Sequence, residues 1–252
     1  MNLYQHLSKR DAIRLLEILQ HGLECRSEED FRRLILDLRE LLGFECAVGG
    51  YQNIREILAN EEICEQKMVN VGYPVDFLDW YYTNEYHLAD AVLLEFLRTF
   101  EVQNWADVTK RCLGGKKDRV TLRAEEFGLK DGFAYGVQDF NRVGATCFFF
   151  AGDRVENDER SRTIIKYAVP HLSEALKRLL REKTRAKLTL TQRELEVLKW
   201  LKDGKSSWDI SRILGRSESV INFHVRNIVR KLDAMNRTHA VAIAVEHGLV
   251  EW

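Results

Sequence analysis

The chain has 252 residues, room for one large domain or two small ones, and its 45 % apolar and 31 % charged residues suit a globular protein with an ordinary core. No run of about 18 apolar residues occurs, so no membrane span is expected, and the start MNLYQHLSKRDAIR lacks the order of a signal peptide. The net charge of -1 hides an asymmetry, because residues 1–176 hold 22 Lys and Arg against 30 Asp and Glu, whereas residues 177–252 hold 16 against 9. A basic segment on an acidic body is common where one end binds nucleic acid. The five cysteines (Cys25, Cys46, Cys64, Cys112 and Cys147) form no CxxC, and read as reduced thiols of a cytoplasmic protein. They suggest neither a disulfide frame nor a zinc site, and no metal or cofactor is expected.

In chain order, Ala12, Leu15, Leu16 and Leu19, then Phe31, Leu34, Ile35, Leu38 and Leu41, recur at helical spacing. They predict two amphipathic helices separated by a polar turn around residues 26–30. Residues 43–50 predict a strand ending at paired glycines. Residues 51–63 are ambiguous, and residues 66–73 suit another strand. The aromatic stretch YPVDFLDWYY opens a predicted helix over 75–88, with Phe77, Trp80, Tyr81 and Leu88 at helical steps. Residues 90–100 read as a strand or a short helix, and Glu125–Leu129 as the end of a helix. Residues 132–138 and 143–151 predict antiparallel strands around the turn QDFNR. A long helical pattern over 158–182 passes Pro170, where a break or kink is expected. The expected architecture is α+β, with helices on a central antiparallel sheet over residues 1–176. A basic linker, KRLLREKTRAK, follows over 177–187, and an all-α unit over 188–252.

The tail is sharply punctuated. Thr191 and Glu194 make a capping box ahead of QRELEVLKWL, and Gly204 stops that helix. Ser206 or Ser207 caps WDISRIL, which ends at Gly215. Ser217 caps ESVINFHVRNIVRKL. Asn236 or Thr238 begins a fourth helix that ends at Gly248. Two short helices joined by a tight turn, the second longer and basic, describe a helix-turn-helix. In the third helix Val220, His224 or Val225, Ile228 and Leu232 are expected on the buried side. Asn222, Phe223, Arg226 and Arg230 then project outward. Asn pairs with adenine and Arg with guanine, and Phe223 suits a thymine methyl. Lys205, Arg230, Lys231 and Arg237 suit phosphates, which position the domain without reading sequence. Double-stranded DNA is the partner these residues imply.

The segment from Leu188 to Val250 resembles the C-terminal DNA-binding domain of the LuxR/FixJ class of bacterial transcription regulators. The family's motif positions fall on Glu194, Leu198 and Gly204, and its recognition helix on Ser219 to Leu232. By that resemblance His224 belongs to the helix packing. Within residues 1–176, the stretch from about 70 to 150 resembles the autoinducer-binding domain of LuxR-type quorum-sensing regulators, an α-β-α sandwich around an enclosed ligand pocket. Tyr73, Pro74, Phe77, Tyr81, Tyr86, Asp90, Ala91 and Trp105 match the family's spacing, and EEFGLKDG resembles the segment before its central strands.

The resemblance implies roles for five residues. Asp90 accepts the amide N–H of an acyl-homoserine lactone, Tyr73 and Tyr81 bond its acyl carbonyl, and Trp105 closes the wall over the head group. Phe77 stands where the family has a Trp indole that donates to the lactone carbonyl, and Ala91 replaces its usual proline. Trp80 is a candidate substitute donor. For each residue a structural reading stands beside the functional one: Asp90 as a helix cap, the tyrosines as core edges. The resemblance also implies a homodimer on a palindromic site, with the helix at 158–182 as part of the dimer surface. Two rivals remain: a sensor domain that takes a non-lactone ligand or a protein partner, and an enzyme. The enzyme has little support, since no Ser-His-Asp order, HxH or HExxH occurs.

Overall fold

The computed structural model describes residues 6–54, 68–140, 142–187 and 190–250. Most of the ambiguous stretch at 51–63, the start of the strand expected at 66–73, Cys64 and Asn141 lie outside the described residues. The chain divides into two compact units, Met1–Lys177 and Arg178–Trp252.

The first unit opens with α1 (Lys9–Glu24) and α2 (Glu28–Leu42), each entered through a capping box, Ser8 with Asp11 and Ser27 with Asp30. Those reciprocal bonds satisfy amides that a helix start leaves free. The buried face of α1 runs through Asp11, Leu15, Ile18 and Gly22. Leu16, expected on that stripe, is exposed, because Leu15 and Ile18 set the face and Leu16 is turned about 100° from Leu15.

The antiparallel sheet has the order β2-β1-β5-β4-β3: β1 (Cys46–Asn53), β2 (Met68–Val71), β3 (Gln103–Asn104), β4 (Asp131–Tyr135) and β5 (Gly144–Gly152). β1 and β5 pair along their whole length, from Cys46 opposite Ala151 to Asn53 opposite Gly144. Alternation along β5 sorts its side chains onto two faces. Thr146, Phe148 and Phe150 face the first layer, where Phe148 packs on Phe31 and Phe150 on Phe44. Gly49, opposite Phe148, is required there, since a Cβ would fall 2.0 Å from the Phe148 ring. The long helix α7 (Glu159–Lys187) covers the same face with its part up to Lys177, and the Thr146 and Ser173 hydroxyls share a buried 2.7 Å bond.

Ala145, Cys147, Phe149 and Ala151 face the opposite layer. It contains α3 (Val75–Thr83), a 3-10 turn (Tyr86–Leu88), α4 (Ala91–Thr99), α5 (Trp105–Cys112) and α6 (Arg119–Glu126). The result is the expected α-β-α sandwich. The segment at 90–100 is helical because Asp90 caps it. The break expected at Pro170 does not occur, and α7 runs through it. Ala168, Val169, Leu172 and Ser173 are all buried, so packing fixes the helix on both sides of the missing amide.

The second unit holds α8 (Gln192–Lys202), α9 (Ser207–Leu214), α10 (Glu218–Lys231) and α11 (Arg237–Glu246). Their caps are Thr191, Ser206, Ser217 and Asn236. Leu198, Ile210, Ile221, Ile228 and Ala240 form its core. One phase is corrected here: Val220, expected inside, is exposed, and Ile221 is buried in its place. Ile221, Ile228 and Leu232 keep the seven- and four-residue steps that hold one face of a helix inward.

One ion pair ties the first unit's chain ends together. Arg160 Nη2 donates to Asp11 Oδ1 at 2.6 Å and to the Leu41 carbonyl at 3.0 Å, joining the starts of α1 and α7 to the end of α2. The Arg160 guanidinium holds the Asp11 carboxyl well below the usual carboxylate range. This stability is present above the unfolded Asp pKa of about 4, and is lost as pH falls toward the depressed folded value. Arg160→Met should therefore destabilise the protein by about 1–3 kcal/mol at pH 7. Urea denaturation at neutral and acid pH should show the gap to wild type narrowing below about pH 4.

Candidate signal pocket and DNA-reading helix

The chain leaves β2 through a turn clamped by Asn70, whose Oδ1 accepts the Tyr73 amide at 2.8 Å and whose Nδ2 donates to the Tyr73 carbonyl at 2.9 Å. Pro74 then starts α3. Phe77 and Tyr81 share one face of the helix at a four-residue step, Tyr73 lies just ahead of its start, and each of the three rings is buried. They form one wall of a cavity of about 100 Å³ between α3, α4, α6 and the sheet. The sheet supplies its floor as cross-strand pairs: Val48 with Phe149, Gly50 with Cys147 and Gln52 with Ala145. All five predicted ligand residues, Tyr73, Phe77, Tyr81, Asp90 and Trp105, line this cavity.

Asp90 is the polar centre of the wall. Its Oδ1 accepts the amides of Val92 (2.8 Å) and Leu93 (3.2 Å), and its Oδ2 accepts the Tyr81 hydroxyl at 2.9 Å. Burial pushes the carboxyl above the ordinary carboxylate value, opposed by those same donors. The helix cap and the pocket group are thus one residue. Oδ2 keeps lone-pair capacity for a further donor, whereas the two amides occupy Oδ1. The Tyr81 proton is engaged by Asp90, so this hydroxyl offers an incoming group an acceptor rather than the expected donor. The Tyr73 hydroxyl has no hydrogen-bond partner among the described residues, and burial keeps its phenol protonated.

Trp105 leads α5 directly from β3. Its ring edge lies over Gly132, where a Cβ would come within 3.0 Å of Cε2. Its Nε1 is buried with no partner among the described residues. Phe77 packs among Tyr73, Trp80, Tyr81 and Phe127 and supplies no N–H. Trp80 does not replace that donor. It stacks on Tyr86 at 4.3 Å with the Arg123 guanidinium 5.7 Å from its ring, and it is not among the cavity residues. Three polar residues that the sequence did not single out also line the cavity, Gln52, His87 and Thr121, the last with its hydroxyl donated to Asp118. Gln52 Nε2 and both His87 ring nitrogens are buried without a partner among the described residues. No periodicity marks them, since one ends a strand behind two glycines and the other sits in a one-turn 3-10 helix.

In the second unit, α10 buries Ile221 and Ile228 and exposes Asn222, Phe223, Arg226 and Arg230 on the other side. Lys205 is exposed at the turn before α9, and its carbonyl accepts Arg237 Nη2 at 2.6 Å. Part of the Arg237 guanidinium therefore pins that turn. Lys231 is also engaged within the unit. Its ammonium sits 2.7 Å from Glu194 Oε2, and Glu194 is only 3 % exposed. A buried carboxylate holds this cation to the fold. Among the described residues no cluster of His, Cys, Asp and Glu could hold a metal ion.

A cavity-bearing α-β-α unit followed by a helix-turn-helix defines a ligand-binding transcription regulator. Residues 27–176 match the autoinducer binding domain, and residues 188–244 match the bacterial regulatory proteins of the luxR family. The chain belongs to the LuxR family of autoinducer-binding, helix-turn-helix transcription regulators. Similar proteins include the quorum sensing-dependent transcriptional regulator RpaR of Rhodopseudomonas palustris, 33 % identical over 180 residues, covering 71 % of this chain and 73 % of RpaR. The transcriptional activator LuxR of Aliivibrio fischeri is 30 % identical over 237 residues, covering 90 % of each chain. Among solved structures, Escherichia coli SdiA covers 94 % of this chain and 98 % of its own at 22 % identity and a TM-score of 0.59. SdiA in complex with octanoyl-rac-glycerol covers 98 % of both chains at 20 % identity and a TM-score of 0.62. These two show the shared fold.

The double duty of Asp90 separates two substitutions. Asp90→Ala removes a cap and strands the Tyr81 hydroxyl, and should cost about 1–3 kcal/mol. Asp90→Asn keeps an acceptor for the α4 amides and sheds the buried charge. Thermal melting at pH 7 should place it close to wild type and well above Asp90→Ala.

Proposed function

We propose that this regulator binds a small acylated signal, an acyl-homoserine lactone or a close analogue, in the cavity beside Asp90. Ligand burial then orders the first unit and biases DNA binding by a cytoplasmic homodimer at a palindromic site. The observation that carries this reading is the set of inward polar groups in an otherwise apolar cavity. A ligand amide N–H has the Asp90 carboxylate to meet, and ligand carbonyls have the Tyr73 hydroxyl and the Trp105 indole N–H. Unpaired buried polar groups are costly, so such a constellation suits a molecule that completes it.

Phe77 favours a second reading, in which the signal has no lactone ring. Without an indole at this position a buried lactone carbonyl loses one donor, worth about 1–3 kcal/mol if it stays dry. The same fold in SdiA has been solved with octanoyl-rac-glycerol, an acyl ligand with no lactone. Phe77→Trp, compared with wild type across a lactone panel by thermal shift, separates the two readings. A gain in lactone binding supports the first pocket geometry with a lost donor. A wild type that melts unchanged with every lactone, but later with acyl glycerols, supports the second.

On this reading Asn222, Phe223 and Arg226, exposed on α10, meet base edges, and the exposed Arg230 of α10 and Lys205 of the turn before α9 meet phosphates. Two such helices one DNA turn apart multiply a modest half-site affinity. Arg226→Ala or Asn222→Ala should relax sequence preference at one base pair by about 1–3 kcal/mol. Lys205→Ala should weaken all sequences alike and reduce the salt slope by about one unit. Gel shifts at several salt concentrations read both effects, and equal losses on every sequence from Arg226→Ala would contradict the assignment.

A further inference from the structure

We infer that α1 carries a second apolar seam on its outward face, and that this seam packs antiparallel against the α1 of a second copy of the chain. This deepens the homodimer reading above and rests on it.

The sequence of α1 writes the same spacing twice. Asp11, Leu15, Ile18 and Gly22, at steps of four, three and four residues, are buried within the unit. Ala12, Leu16, Leu19 and Leu23 repeat those steps one residue later, about 100° further round the helix. Leu16 is 65 % and Leu23 61 % exposed, while Ala12 and Leu19 are half-buried. Alternating steps of four and three residues let the side chains of one helix sit between those of another. The neighbouring helices of the first unit lie elsewhere. Arg14 and His21 reach Glu40 and Asp37 of α2 from the opposite side of α1, and α7 approaches at Gly22 on the buried seam, where a Cβ would come within 3.3 Å of His171 Cβ. The long helix α7 is a poorer seat for a second copy, because over residues 159–182 its exposed side chains are all charged.

Charge selects the occupant and its direction. Lys9 and Glu24 are exposed at the two ends of α1, on the same flank of the stripe. Each has the sign that its own helix dipole disfavours, a cation at the positive N-terminal end and an anion at the negative C-terminal end. A second α1 running antiparallel sets Lys9 of each copy beside Glu24 of the other, and brings each charge to a helix end that favours it. Leu16 then meets the partner's Leu19, and Ala12 meets the partner's Leu23. A parallel pair would leave Lys9 level with Lys9 and Glu24 level with Glu24. A two-fold axis needs only one such self-complementary surface.

Sedimentation velocity of the full-length protein, alone and with saturating N-octanoyl-homoserine lactone or octanoyl glycerol, reads the association. Wild type should dimerise. Leu16→Glu and Leu23→Glu, both at exposed positions, should each weaken the dimer about tenfold or more, since each buries an unpaired carboxylate in the seam. Lys9→Glu should weaken it about threefold or more, because the two-fold axis reverses two ion pairs at once. Adding Glu24→Lys to Lys9→Glu should restore the dimer, and that recovery separates a lost contact from a lost fold. A dimer unchanged by Leu16→Glu and Leu23→Glu overturns the inference alone, as does a Lys9→Glu deficit that Glu24→Lys fails to recover. A wild type that stays monomeric in every condition overturns the homodimer reading and this inference with it.

Discussion

Each unit of this protein is organised around one buried carboxylate at a helix start. In the first, Asp90 ties pieces of chain together: its oxygens cap α4 and hold the Tyr81 ring of α3, and its charge acts on the Cys147 thiol of the sheet floor. A buried charge survives only where donors surround it, and here two amides and a phenol do so. The second unit repeats the device. Glu194 closes the capping box with Thr191 and meets Lys231 from the recognition helix, so α8 and α10 are locked together by a carboxylate that is almost fully buried. The geometry of the pocket and the angle of the DNA-reading helix thus both depend on polar groups that their surroundings must satisfy.

The Asp90 arrangement explains why the wall of the cavity is made by an aromatic run. Rings at four-residue steps on α3 fill the space between helix and sheet, while their polar tips reach inward. The floor stays open because its cross-strand pairs combine large with small residues, Val48 with Phe149, Gly50 with Cys147 and Gln52 with Ala145. The opposite face of the same strands packs Phe148 and Phe150 tightly on the first helical layer. One sheet thereby separates a solid core from a hollow one, and the hollow side holds the groups that recognise a ligand.

Much of this was legible in the chain itself, where local chemistry decides structure. Capping boxes at Thr191 and Ser217-type caps announced the helices of the second unit, and glycines announced their ends. The spacing from Tyr73 to Trp105 brought together five residues that share one cavity. Other features depend on tertiary contacts. Leu16 and Val220 carry the right chemistry for a buried stripe, yet neighbouring residues take the inward positions. Pro170 has the signature of a helix break, and burial on both sides overrides it. Lys231 looks like any basic residue of a recognition helix until Glu194 is seen beneath it. Gln52 and His87 carry no pattern at all, because a polar residue aimed into a cavity and one aimed into solvent read alike.

The central claim is that the inward polar groups of the first unit meet a small molecule. The indole N–H of Trp105 reports on this most directly, since it is buried, unpaired and resolvable in a nitrogen–proton correlation spectrum. The account predicts that an acyl signal at saturation moves the Trp105 indole resonance, assigned with Trp105→Phe, and leaves that of the exposed Trp208 in place. A Trp105 resonance unmoved by saturating lactones and acyl glycerols alike would contradict it.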